Sequence, residues 1–196
     1  MAAARLPDNE KERLKALREL EILDTEPEPA LDALVRTASL ICKAPVSLIS
    51  LVDGERQWFK ANYGLDGVSE TPRDVAFCAH AILGNELFEI PDAGADPRFV
   101  DNPLVTERPD IRFYAGAPLT LSSGARVGTL CVMDHVPRQL AAEQREALLQ
   151  LSAAASRVLE SYRMASRLRQ SEARFRALSE AAPLGIFATD ASGVDS

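Results

Sequence analysis

The sequence has no apolar run approaching the ~18–20 residues that cross a bilayer, and its start, MAAARLPDNEKERLK, lacks the apolar centre of a signal peptide. Both absences argue for a cytoplasmic chain with no membrane partner. Basic charge is also in short supply: 22 Lys and Arg face 29 Asp and Glu, for a net charge of -7. That balance repels phosphate backbones, so no nucleic-acid partner is expected. Three cysteines at irregular spacing make neither a disulfide framework nor a CxxC zinc clip, which suits a reducing compartment. No recognisable ligand grouping suggests a metal. A Ser-His-Asp set, a paired-carboxylate motif, a Walker sequence and a Gly-rich phosphate loop are all missing, so no catalytic activity is expected of these residues.

What is present reads as one domain with an ample core, plus linkers. Residues Asn9 to Ile22 carry Leu14, Leu17 and Leu20 among charged neighbours, a narrow stripe that predicts a surface or partner-seeking helix. A second helix runs from about Pro29, with Leu31, Leu34, Val35, Ala38, Ile41 and Cys42 on one face, until Pro45 stops it. Val46–Val52 and Gln57–Tyr63 read as strands joined by a turn at Asp53-Gly54-Glu55-Arg56. Thr71 as cap, Pro72 at the first position, Asp74 completing a capping box and Gly84 as terminator predict a helix over Pro72–Leu83. A short strand at Leu87–Ile90 leads into a long polar connection, Pro91 to Pro109, with one helical turn near Asp96-Pro97. A hairpin follows, Phe113–Leu121 and Arg126–Met133, around the Gly-containing turn Ser122–Ala125. From Leu140 to about Ala182 neither proline nor glycine interrupts, so one helix of ~60 Å is expected. Leu148, Leu151, Ala155, Val158, Tyr162 and Ala165 alternate spacings of three and four along it. This is the seam of a coiled coil, and it predicts a homodimer through Leu148, Leu151, Val158 and Tyr162. The competing expectation is a helix packed on its own domain.

The phrases ICKAPVSLISLVD, FCAHAIL, DPRFVDNPLV, FYAGAPL and GTLCVMD resemble a GAF domain, the small-molecule-sensing module of signalling proteins, over roughly residues 10 to 160. FRALSEAAPLGIFATDASG resembles the entry helix and first strand of a PAS domain. The resemblance implies an α+β fold: an antiparallel sheet flanked by helices, with a long C-terminal signalling helix. It divides the chain into an N-terminal helix (1–24), a GAF domain (25–158), a helical linker (159–174) and the start of a PAS domain (175–196). It also implies a sensory role, for a small molecule or redox state, in a protein of the histidine kinase or diguanylate cyclase type. The alternative is a ligand-free structural dimerisation module whose cavity is filled by its own side chains.

The family's pocket, between the sheet and its covering helix and loop, maps onto Phe77, His80, Arg98, Phe99, Phe113 and Tyr114. Its ligand is unknown. Covalent bilin at the usual place is not expected, because no cysteine lies between Asp92 and Ala117, and the family's cyclic-nucleotide signature is absent. Cys78 and His80, two apart on a helix, point about 200° from each other and are poorly placed to share a ligand. Cys78 shares a face with Val75, Ala79 and Ile82, and His80 with Phe77 and Ala81. A remote enzymatic alternative is the free methionine sulfoxide reductase type of GAF domain, which needs two thiols that can meet. Cys42 and Cys131 read as core, and Cys78 has no partner nearby in sequence. Arg73, a cation in a helix's first turn, is disfavoured by the dipole there and hints at a carboxylate or a partner.

Overall fold

A computed structural model describes residues 3–181. The helices are α1 (Glu10–Arg18), α2 (Pro29–Cys42), α3 (Phe77–Ala81), α4 (Pro103–Thr106) and α5 (Ala142–Ala181). The strands are β1 (Val46–Val52), β2 (Arg56–Tyr63), β3 (Glu70–Pro72), β4 (Phe88–Ile90), β5 (Phe113–Thr120) and β6 (Arg126–Asp134). They form one antiparallel sheet in the order β3-β2-β1-β6-β5-β4. The expected α+β architecture, with flanking helices and a long last helix, is what the chain adopts.

The central strands are apolar on both sides because both faces of the sheet are covered. Every residue of β1 is buried. Period-two alternation sends Phe113, Ala115, Ala117 and Leu119 of β5 to one face, where they join Ile49, Leu51, Leu130 and Val132 under α1, α2 and α5. The opposite face presents Leu48, Tyr114, Cys131 and Met133 to α3 and to the loops on either side of α4.

Two expectations are corrected. The helix expected over Pro72–Leu83 is broken into an edge strand, a 3-10 turn (Arg73–Val75) and the five-residue α3. Pro72 is tolerated at the sheet edge, where its missing N–H costs no ladder bond. Arg73 is drawn back toward the β1–β2 turn, and Ala76 is extended. The N-terminal helix, expected to be a surface or partner-seeking element, is part of the core: Leu17 and Leu20 are fully buried, as is Arg13. The expected PAS segment falls partly on α5, and residues 182–196 lie outside the described residues.

Candidate functional site

On the loop-covered face of the sheet, Leu48 of β1, Gln57 and Phe59 of β2, Phe77 and Cys78 of α3, Tyr114 of β5 and Cys131 and Met133 of β6 line an apolar cavity. Half-buried Leu65, Leu104 and Pro109 rim it. Only about 20 Å³ is left inside, room for one water. The space is filled mainly by Tyr114. Its ring stacks on Phe77 at 5.2 Å and lies across Gly116, where a β-carbon would sit 2.7 Å from the ring's Cζ. Glycine at 116 is therefore required by the close approach of a neighbour on its own strand.

The floor of the cavity is a buried cluster of sulfur and hydroxyl groups. Thr129 Oγ1 donates to Cys78 Sγ at 3.1 Å and the Tyr114 hydroxyl donates to it at 3.3 Å. Cys131 lines the same cavity and belongs to the same buried cluster. Ser50 donates to Gln57 at 3.1 Å. Burial pushes the Cys78 thiol up, but hydrogen bonding, first from Cys131 and then from Thr129 and Tyr114, outweighs it and holds Cys78 below the ordinary thiol value. The bond to Cys78, with burial, drives Cys131 the other way. Cys78 and Cys131, far apart along the chain, thus share one face of the sheet. Cys42, on the helical face, is isolated from them and raised to about 11 by burial.

The six expected pocket residues separate into three groups. Phe77 and Tyr114 line the cavity. Phe99, His80 and Arg98 continue outward from it. Phe99 packs on Phe77 and on the edge of His80, each at 4.8 Å, while Arg98 lies over Phe88 and Phe99 and is held by Asp96. His80 is half-buried and opens to a surface depression with Gly84, Asn85 and Phe88, not to the cavity. Burial, then the Arg98 charge, lowers its pKa. Phe113 is a correction. It points to the helical face and packs under Arg138, because neighbours on a strand face opposite ways and Tyr114 already takes the cavity side.

The expected seam on α5 is also accounted for locally. Leu148 is fully buried against the sheet, and Leu151, Val158 and Tyr162 pack on the same core. The Tyr162 hydroxyl bonds to Glu28. Past this point Met164, Leu168 and Phe175 are exposed. Arg73 finds the carboxylate its position hinted at: Glu10 bridges Arg73 and Arg13, which also reach the carbonyls of Asp53 and Val52. Among the described residues no helix is long and apolar enough to cross a membrane, and no group of three or more His, Cys, Asp and Glu is placed to hold a metal.

A six-stranded antiparallel sheet with helices on one face and a loop-covered cavity on the other defines a small α+β module. The sequence model of the GAF domain matches residues 26–159, and the chain belongs to that family. It is 43% identical over 150 residues to a cyclic di-GMP phosphodiesterase of Pseudomonas aeruginosa, an alignment covering 76% of this chain and 25% of that protein. The chain therefore spans about a quarter of that relative's length. Among solved structures, the GAF domain of a phosphoenolpyruvate-protein phosphotransferase from Coxiella burnetii superposes with a TM-score of 0.57 at 19% identity, covering 82% of this chain and 98% of that one. The corresponding Acinetobacter domain gives 0.56 at 20% identity, covering 80% and 98%. These two likenesses concern the fold.

Proposed function

We propose that the chain is the regulatory input of a cytoplasmic cyclic di-GMP-signalling protein, non-catalytic itself, which relays a state of its sheet through α5 to a following PAS-type domain. One observation carries this reading. Leu148, Ala155 and Leu159 fix α5 to the sheet whose other face holds the cavity, and the same helix then continues with Met164, Leu168 and Phe175 uncovered. A change at the cavity thus has a continuous packed route outward. The exposed residues recur at four and seven, a heptad spacing suited to a second copy of the chain, so the homodimer seam lies beyond Tyr162 in this reading. Light scattering coupled to size exclusion across a concentration series tests it. Dimers that weaken with dilution, and weaken further in Leu168→Glu, support the relay, whereas a chain monomeric throughout removes it.

The filling of the cavity by Tyr114 and Phe77 favours a second reading, a structural dimerisation module with no ligand. A thermal-shift panel of cyclic di-GMP, cyclic GMP, haem and biliverdin separates the two, since a ligand that binds only the native state raises the melting temperature by mass action.

A further inference from the structure

We propose that Cys78 and Cys131 form a redox-active dithiol that closes to an intramolecular disulfide on reaction with a small hydroperoxide. The inference rests on the regulatory reading and names the stimulus it would serve. Three observations converge on it. The two cysteines come from different elements, α3 and β6, yet line one cavity in one buried cluster, and Cys78 is bonded to Thr129, two residues from Cys131 on the same face of β6. The hydroxyls of Thr129 and Tyr114 both point hydrogen at Cys78, which favours the thiolate, the form that attacks. The cavity reaches a thiol that is otherwise buried, and its ~20 Å³ excludes all but the smallest molecules. Cys42 lies on the opposite face of the sheet and serves as an internal control.

The chemistry balances without a further reactant. The Cys78 thiolate attacks one oxygen of hydrogen peroxide, the O–O bond breaks, and the departing hydroxide takes a proton to leave as water. Cys78 is then a sulfenic acid. Cys131 sulfur attacks it, the S–S bond forms as the S–O bond breaks, and the second hydroxyl leaves as water with the Cys131 proton. Two thiols are oxidised by two electrons, and the peroxide is reduced to two waters. The new bond would tie α3 to the strand that leads into α5.

The test treats the reduced, folded chain with hydrogen peroxide, then denatures, alkylates and maps it by mass spectrometry. The expected result is loss of two hydrogens, alkylation at Cys42 alone, and a Cys78–Cys131 cross-linked peptide. A bulky hydroperoxide should react at least tenfold more slowly, and Cys131→Ser should leave a Cys78 sulfenic acid trapped by dimedone. Alkylation of all three cysteines after peroxide, or cross-links only between chains or only in denaturant, would overturn the proposal. The wild-type map decides this even if the variant does not fold. A cross-link that leaves melting temperature and oligomeric state unchanged would instead overturn the regulatory reading and leave the dithiol chemistry standing.

Discussion

Glu10 offers the sharpest test of how the N-terminal helix is held. Its carboxylate receives Arg13 Nε at 2.7 Å and Nη2 at 2.8 Å, and Arg73 Nη1 at 2.5 Å, with side-chain exposures of 15%, 1% and 9% for Glu10, Arg13 and Arg73. Burial raises the carboxyl, but the two guanidiniums outweigh it and hold Glu10 at about 2 against an ordinary 4.5. A depression of that size corresponds to ~3 kcal/mol at 1.36 per unit, which partial solvent exposure trims to about 2 kcal/mol. The folded value lies below the unfolded one. The stabilisation is therefore complete above 4.5 and is lost as pH falls toward 2. Glu10→Gln keeps the shape but leaves two buried cations with no counter-charge, so it should cost roughly 2–4 kcal/mol at neutral pH. Urea unfolding of both proteins across the acid range measures it. The gap between them should shrink steadily below pH 4.5 and nearly vanish near 2. Equal midpoints at neutral pH, or a gap independent of pH, would refute the claim that this carboxylate clamps α1 to the sheet.

Gly116→Ala should destabilise the fold by about 1–3 kcal/mol by forcing Tyr114 off its seat; unchanged urea midpoint and unchanged near-ultraviolet tyrosine signal would contradict the packing described. Truncation after Ser156 removes fully buried Leu159 and should lower the melting temperature, while truncation after Tyr162 should lower it less and abolish dimerisation; equal melting of the two truncations would show that the 157–162 turn adds nothing. His80, lowered first by burial and then by Arg98, should titrate below 6.5 by NMR, and Arg98→Ala should raise it. Because the folded value is the lower one, the stability carried by neutral His80 is present above 6.5 and lost as pH falls.

Much of the sheet was legible because strand signals are local. VSLISLV and the FYAGAPLT/RVGTLCVMD pair announce themselves by apolar runs bounded by turn residues, and they form β1, β5 and β6. The errors came where a distant partner decides a local question. Arg13 made α1 look like a solvated helix, yet Glu10 three residues before it and the Val52 carbonyl far along the chain allow it to be buried. Thr71, Pro72 and Asp74 are good capping residues, but β2 claims the first two as an edge strand. On α5 the spacing of three and four is common to a coiled-coil seam and to a helix packed on a sheet, so periodicity cannot say which surface Leu148 meets.

The dithiol shows the same limit and also a way past it. Cys78 and Cys131 share no local pattern, and nothing in their spacing pairs them. Strand alternation, however, does put Thr129, Cys131 and Met133 on one face, and hairpin register sets Gly116 opposite Cys131 and Tyr114 opposite Met133. A glycine inside an otherwise apolar central strand signals that another group needs the space above it. Here that group is Tyr114, whose ring crosses Gly116 and whose hydroxyl ends at Cys78. The hairpin register of the structure sets Tyr114, Thr129 and Cys131 on one face of the sheet, and α3 delivers Cys78 to them.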